Sequence, residues 1–183
     1  MDKDSTLTEV AARVSAALQG AGIIATLSGG SAVTIYTQND YESRGMDFVT
    51  AAMLNELKPV MEQLGFVHTA NRRLSVFEHP EIEWYVEFVA APISFGATQV
   101  KAEECGSLET PAGLLRVITP TQSVMDRLAA AFAWGDAQSR EQALMVARQQ
   151  TIDWSELRRW FLDEGLTESD YQGFRNLADY ENA

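Results

Sequence analysis

The chain has 183 residues, the size of one domain or of one domain with a helical annex. Apolar residues make up 46%, enough for a core that buries about 70% of the unfolded surface. The balance of 14 basic and 26 acidic residues leaves a net charge of −12. That excludes a protein that wraps duplex nucleic acid, because such affinity comes from Lys and Arg neutralising phosphates. It leaves room for a small basic pocket. Only Lys3, Lys58 and Lys101 are lysines, so the positive charge is mostly guanidinium, suited to bidentate phosphate or carboxylate contacts. One cysteine excludes an intrachain disulfide, and one Cys with two His is too few for structural zinc. The N-terminal residues lack the basic and apolar regions of a signal peptide. No apolar run reaches the roughly 18 residues of a membrane span. A cytoplasmic protein is expected.

In chain order, residues 5–21 predict a helix. Thr6 and Glu9 have capping-box spacing, Val10, Val14, Ala17 and Leu18 form the stripe, and Gly20 and Gly22 end it. Residues 22–27 read as a short buried strand running into Ser28-Gly29-Gly30-Ser31, and 32–36 as a short helix. Met46-Asp47-Phe48-Val49 alternates as a strand, and 53–64 is an amphipathic helix ending at Gly65. Strands are expected at 66–68, 73–78 and 83–89, the last two as a hairpin about His79-Pro80. Residues 90–119, broken by Pro92, Gly96, Gly106, Pro111 and Gly113, read as short strands and loops. From Pro120 the pattern becomes helical, over 121–134, 139–150, 154–164 and 168–180. Trp134 and Trp154 read as core residues. The organisation is an α/β part over 1–119 and a helical annex over 120–183.

Three local patterns could carry chemistry. In the turn after the first strand, glycines allow close approach of a ligand, and a helix N-terminus offers free N–H groups to an anion. A tight strand-to-helix turn also needs glycine for steric reasons alone. In Gly45-Met46-Asp47, alternate positions share a face, so acids at both would hold a divalent metal pair; only Asp47 is acidic. In Glu83-Trp84-Tyr85-Val86-Glu87-Phe88 the acids fall on one face, and Glu87 beside Asp47 would make a carboxylate pair for Mg²⁺. His68 and His79 have no carboxylate or Ser at catalytic spacing.

The order of these pieces resembles the nucleotidyltransferase fold. The residues that carry the resemblance are Leu27-Ser28-Gly29-Gly30-Ser31-Ala32-Val33, then Tyr41 to Val49, then Val86-Glu87-Phe88. The superfamily includes DNA polymerase beta, aminoglycoside nucleotidyltransferases and AbiEii-type toxins. The nearest likeness is to a bacterial family with a Tyr-x-Ser-(Lys/Arg)-Asp-Ile-Asp-Phe-Val segment. Pro120-Thr121, Asp126 to Ala130 and Trp134-Gly135-Asp136 resemble that family's later segment, so the likeness covers about residues 5–165. It implies an α+β fold with a mixed sheet, flanking helices and the C-terminal annex. It further implies that Gly29, Gly30 and Ser31 hold a nucleoside triphosphate, that Asp47 and Glu87 hold Mg²⁺ as catalytic acids, and that Arg127 and Asp136 reach the nucleotide from the annex. The first acid of the family's set falls on Gly45. The function expected is transfer of a nucleotidyl group to an acceptor, or a degenerate member without turnover. The alternative is a binding module that takes a nucleotide or a protein partner, as one component of a toxin–antitoxin or defence system. On the residues alone, Arg127 could pair with a nearby acid and Asp136 could cap the following helix.

Overall fold

The computed structural model describes residues 1–71 and 74–180. The chain opens with α1 (Leu7–Gly20), capped as its spacing predicts. The Glu9 amide donates to Thr6 Oγ1 at 3.3 Å, and the Thr6 amide donates to Glu9 Oε2 at 2.8 Å. Val10, Val14 and Leu18 point into the core. Then come β1 (Ala25–Ser28), α2 (Gly29–Tyr36), β2 (Gly45–Thr50) and α3 (Leu54–Gln63). Strands β3 (Val67–Asn71), β4 (Leu74–Glu78) and β5 (Tyr85–Ala90) follow. The expected start of the middle strand at Arg73 lies outside the described residues. The stretch expected as short strands and loops forms β6 (Ile93–Phe95), β7 (Thr98–Val100), a 3₁₀ turn at Ala102–Glu104, β8 (Gly106–Thr110) and β9 (Gly113–Val117).

Seven strands make one mixed sheet in the order β3-β4-β5-β2-β1-β9-β8, and β6 and β7 form a separate hairpin. The expected β4–β5 hairpin is present, with Val76 opposite Glu87. Two pairings are parallel, β2 with β5 and β1 with β9. Every residue of β1 is buried, Thr26 and Ser28 included, as in a strand covered on both faces. Helix α1 packs on β1 and β9, α2 on β1 and β2, and α3 on α1 and β3.

The annex consists of α4 (Pro120–Trp134), α5 (Ala137–Gln149), α6 (Trp154–Asp163) and α7 (Glu168–Tyr180). Thr119 caps α4, with Pro120 in the first turn, where its missing N–H costs nothing. Helices α4 and α5 pack on α2, and α4 also on β6. The hydrophobic core is continuous from Leu27 and Phe48 in the sheet to Val124, Leu157 and Phe161 in the annex. Polar ties reinforce it. Trp160 Nε1 donates to the Phe95 carbonyl at 3.1 Å, and the Glu164 carboxylate accepts from the Ala97 and Thr98 amides.

One expectation fails in the annex. Trp134 is 84% exposed and not a core residue, whereas Trp154 is partly buried as expected. Stepping 100° per residue places position 134 about 120° away from Leu128, off the buried stripe. It also falls in the last turn of α4, just before Gly135 reverses the chain with φ of 65°. Phe132 is on the stripe but half exposed, in a T-shaped contact with the Phe161 ring at 6.1 Å between centroids. Among the described residues no helix is long and apolar enough to cross a membrane.

Candidate active site

The parallel pairing of β2 with β5 aligns Gly45 with Tyr85, Asp47 with Glu87 and Val49 with Val89. Residues paired in this way project from the same face of the sheet, on strands about 4.8 Å apart. Met46, Phe48, Val86 and Phe88 take the other face and are buried. The structure thus brings Asp47 and Glu87 side by side. Glu83, on the acidic face of the strand expected there, lies before β5 begins and is exposed.

Strand β1 flanks β2 on its other side, antiparallel, with Ser28 opposite Asp47. The chain then turns into α2 at Gly29, whose φ is +66°. A Cβ at this position would collide with Asp47 Oδ2, so glycine is required both by its backbone and by the carboxylate packed against it. A Cβ at Gly30 would lie 3.2 Å from Ser43 Oγ and 3.3 Å from Tyr41 Oη. Gly29 is buried, and Gly30 retains some exposed surface. Ser31 is fully buried, and its Oγ donates to the Ser28 carbonyl at 3.1 Å. Its hydroxyl serves the turn itself. Ser28, which the turn motif includes without a site role, fixes the strand that carries the acid; its Oγ donates to the Asp47 carbonyl at 3.3 Å. No local signal marks this contact, because the register of β1 against β2 is non-local.

Arg127 reaches the site region from α4. Its guanidinium donates twice to Asp126 Oδ2, at 2.6 and 3.0 Å, and more weakly to Gln142 Oε1 at 3.4 Å. Its field still lowers the Asp47 pKa. Asp136 is committed elsewhere, as the cap of α5. It accepts from the Gln138 amide at 3.0 Å and from Ser139 Oγ at 2.6 Å. The Ser139 hydrogen bond, first among the causes, holds the Asp136 carboxyl below the usual range. The contacts of Asp136 are those of a helix cap. His68 and His79 pack against Phe77 and Phe66 as ring neighbours.

Burial pushes the Asp47 carboxyl up to about 6, and repulsion from Glu87 adds to the effect; Arg127 opposes it, and Asp126 adds a small rise. Burial also raises Glu87. Burial raises the Tyr85 phenol too, with further contributions from Asp47 and Glu87. Negative charge is thus crowded here and only partly compensated, an arrangement that gains from a bound cation. Both acids offer hard oxygen donors of the kind Mg²⁺ takes. Among the described residues no group of three or more His, Cys, Asp or Glu could hold a metal. The donor set fits one ion completed by a ligand's oxygens, and does not fit a pair of ions.

The raised Asp47 pKa has a consequence for stability. The unfolded carboxyl titrates near about 4. Between there and about 6 the unfolded chain has lost a proton that the folded chain keeps, so stability falls as pH rises through that window. Asp47→Asn removes the penalty. The variant should be more stable by about 1–2 kcal/mol at pH 7.5 and show no advantage at pH 4, as read by thermal unfolding without added metal. Equal melting temperatures at pH 7.5 would show that Asp47 is not strained by its surroundings.

Neither a protein-family model nor a curated protein sequence matches this chain. Solved structures do. A nucleotidyltransferase-like antigenic protein from Paracoccidioides brasiliensis has a TM-score of 0.57 at 12% identity, over 94% of this chain and 93% of that one. The antibiotic-resistance factor ANT(2'')-Ia gives 0.54 at 13% identity, over 93% and 95%. A lincosamide antibiotic adenylyltransferase, solved with lincomycin bound, gives 0.50 at 12% identity, over 73% and 91%. The chain has the nucleotidyltransferase fold.

Proposed function

We propose that this protein binds a nucleoside triphosphate with one Mg²⁺ ion at Asp47 and Glu87, and that it lacks the machinery for efficient nucleotidyl transfer. The observation that carries this reading is the in-register pairing of Asp47 with Glu87, with the first turn of α2 packed against the Asp47 carboxylate. The two carboxylates would hold the ion. Gly30 and the N-terminal turn of α2 would receive phosphate oxygens, and Arg127 would add positive charge from α4. Mg²⁺ when bound would neutralise charge on the triphosphate. The fold supports the general class: ANT(2'')-Ia, which shares it, is seen in complex with adenylyl-2''-tobramycin. Analogy of fold does not specify this chain's acceptor. Activating an acceptor hydroxyl calls for a carboxylate one alternation before Asp47, and Gly45 supplies none.

A second reading, a module that binds a protein partner, is favoured by the exposure of Trp134, a residue type enriched where partners dock. Calorimetric titration with a non-hydrolysable triphosphate separates the two. The nucleotide reading predicts binding in Mg²⁺ that weakens at least about tenfold in EDTA, a difference of about 1.4 kcal/mol. No heat of binding in either buffer would leave the partner reading in its place.

A further inference from the structure

Gly45 is not glycine for the sake of its backbone. Its φ is not among the positive values, so an L-residue would fit the strand there. The constraint comes from across the sheet. A Cβ on Gly45 would lie 2.7 Å from Tyr85 Oη, 2.8 Å from Cζ and 2.9 Å from Cε2. Real carbon contacts do not approach so closely. It is the phenol end of Tyr85 that meets Gly45, so the side chain leans from β5 across onto β2. There it stands on the same face as Asp47 and Glu87, one alternation before each. At 36% exposure the ring is a wall of the site and not a core residue.

We infer that Gly45 and Tyr85 are a coupled pair, in which the phenol fills the ground that a third carboxylate would occupy and limits the site to one divalent ion. This rests on the proposed nucleotide-binding function. A phenol is neutral at physiological pH and does not replace a carboxylate as a ligand for a second Mg²⁺. It instead presents a hydroxyl that can hydrogen-bond a bound triphosphate or an incoming acceptor. A side chain at position 45 and the ring in its present place exclude each other, so an acid added there must first displace the phenol.

The test counts Mn²⁺ ions per bound non-hydrolysable triphosphate by electron paramagnetic resonance, alongside melting temperatures. The intact protein, Tyr85→Ala and Gly45→Asp should each bind one ion. Gly45→Asp/Tyr85→Ala should bind two. Gly45→Asp should melt below the intact protein, and adding Tyr85→Ala should recover much of that loss. Two ions in the intact protein or in Gly45→Asp, or one ion in the folded double variant, would overturn the inference. If no variant binds nucleotide, the proposed function fails. The pair is then judged by melting temperature: recovery in the double variant supports the coupling, and additive losses refute it.

Discussion

Asp47→Ala should weaken binding of a Mg²⁺–triphosphate complex about 100-fold, a loss of about 2.7 kcal/mol. The substitution removes one of the two paired carboxylates available to the ion, and the more buried of them. Glu87→Gln should cost less, because Glu87 borders solvent and water can replace part of its coordination. Glu83→Ala, which lies before β5, should change affinity within about twofold. Unfolding would not explain the expected loss. The Asp47 carboxyl is held above its ordinary pKa, so its removal relieves the folded state at neutral pH. A protein that melts no lower yet loses Mg²⁺-dependent binding would locate the effect at the site. Unchanged affinity in Asp47→Ala would separate nucleotide binding from this carboxylate altogether.

Phe48→Ala should destabilise the fold by about 3–5 kcal/mol, measured by urea unfolding. Phe48 sits between Asp47 and Val49 on β2, projects from the opposite face and has no exposed surface. Its ring lies 6.2 Å from that of Phe88 on β5, and Phe88 in turn meets Phe77 edge-on at 5.6 Å. This aromatic row underlies the strand pair that aligns the acids. Phe132→Ala, which removes a half-exposed ring, should cost about 1 kcal/mol or less. Similar losses from both would mean that burial does not distinguish Phe48 from Phe132 as described.

Local patterns revealed much of this arrangement. The alternation of Met46-Asp47-Phe48-Val49 assigned its faces correctly, because a strand with one buried face repeats every second residue. The Thr6–Glu9 spacing identified the start of α1, because caps are set by side chains within one turn. All four annex helices lie within three residues of their expected bounds. What stayed hidden was non-local. Parallel pairing of β2 with β5 depends on a crossover through α3, β3 and β4, and its register is set by packing. The lean of Tyr85 over Gly45 is a contact between positions 40 residues apart, invisible without that register. Asp136 and Arg127 show a related difficulty. A charged residue at a helix end reads equally as a cap or a ligand contact, and one on a helix face as a pair or a ligand contact; only the observed partners separate these. Ser31 stands in a phosphate-type motif, yet the tightness of the turn directs its hydroxyl to the Ser28 carbonyl.

The most direct measurement is anomalous diffraction from a crystal grown with Mn²⁺ and a non-hydrolysable nucleoside triphosphate. One anomalous peak should lie between the carboxylates of Asp47 and Glu87, with triphosphate oxygens completing its coordination beside the first turn of α2. A triphosphate bound elsewhere on the chain, or ordered nucleotide with no metal at Asp47 and Glu87, would contradict the account.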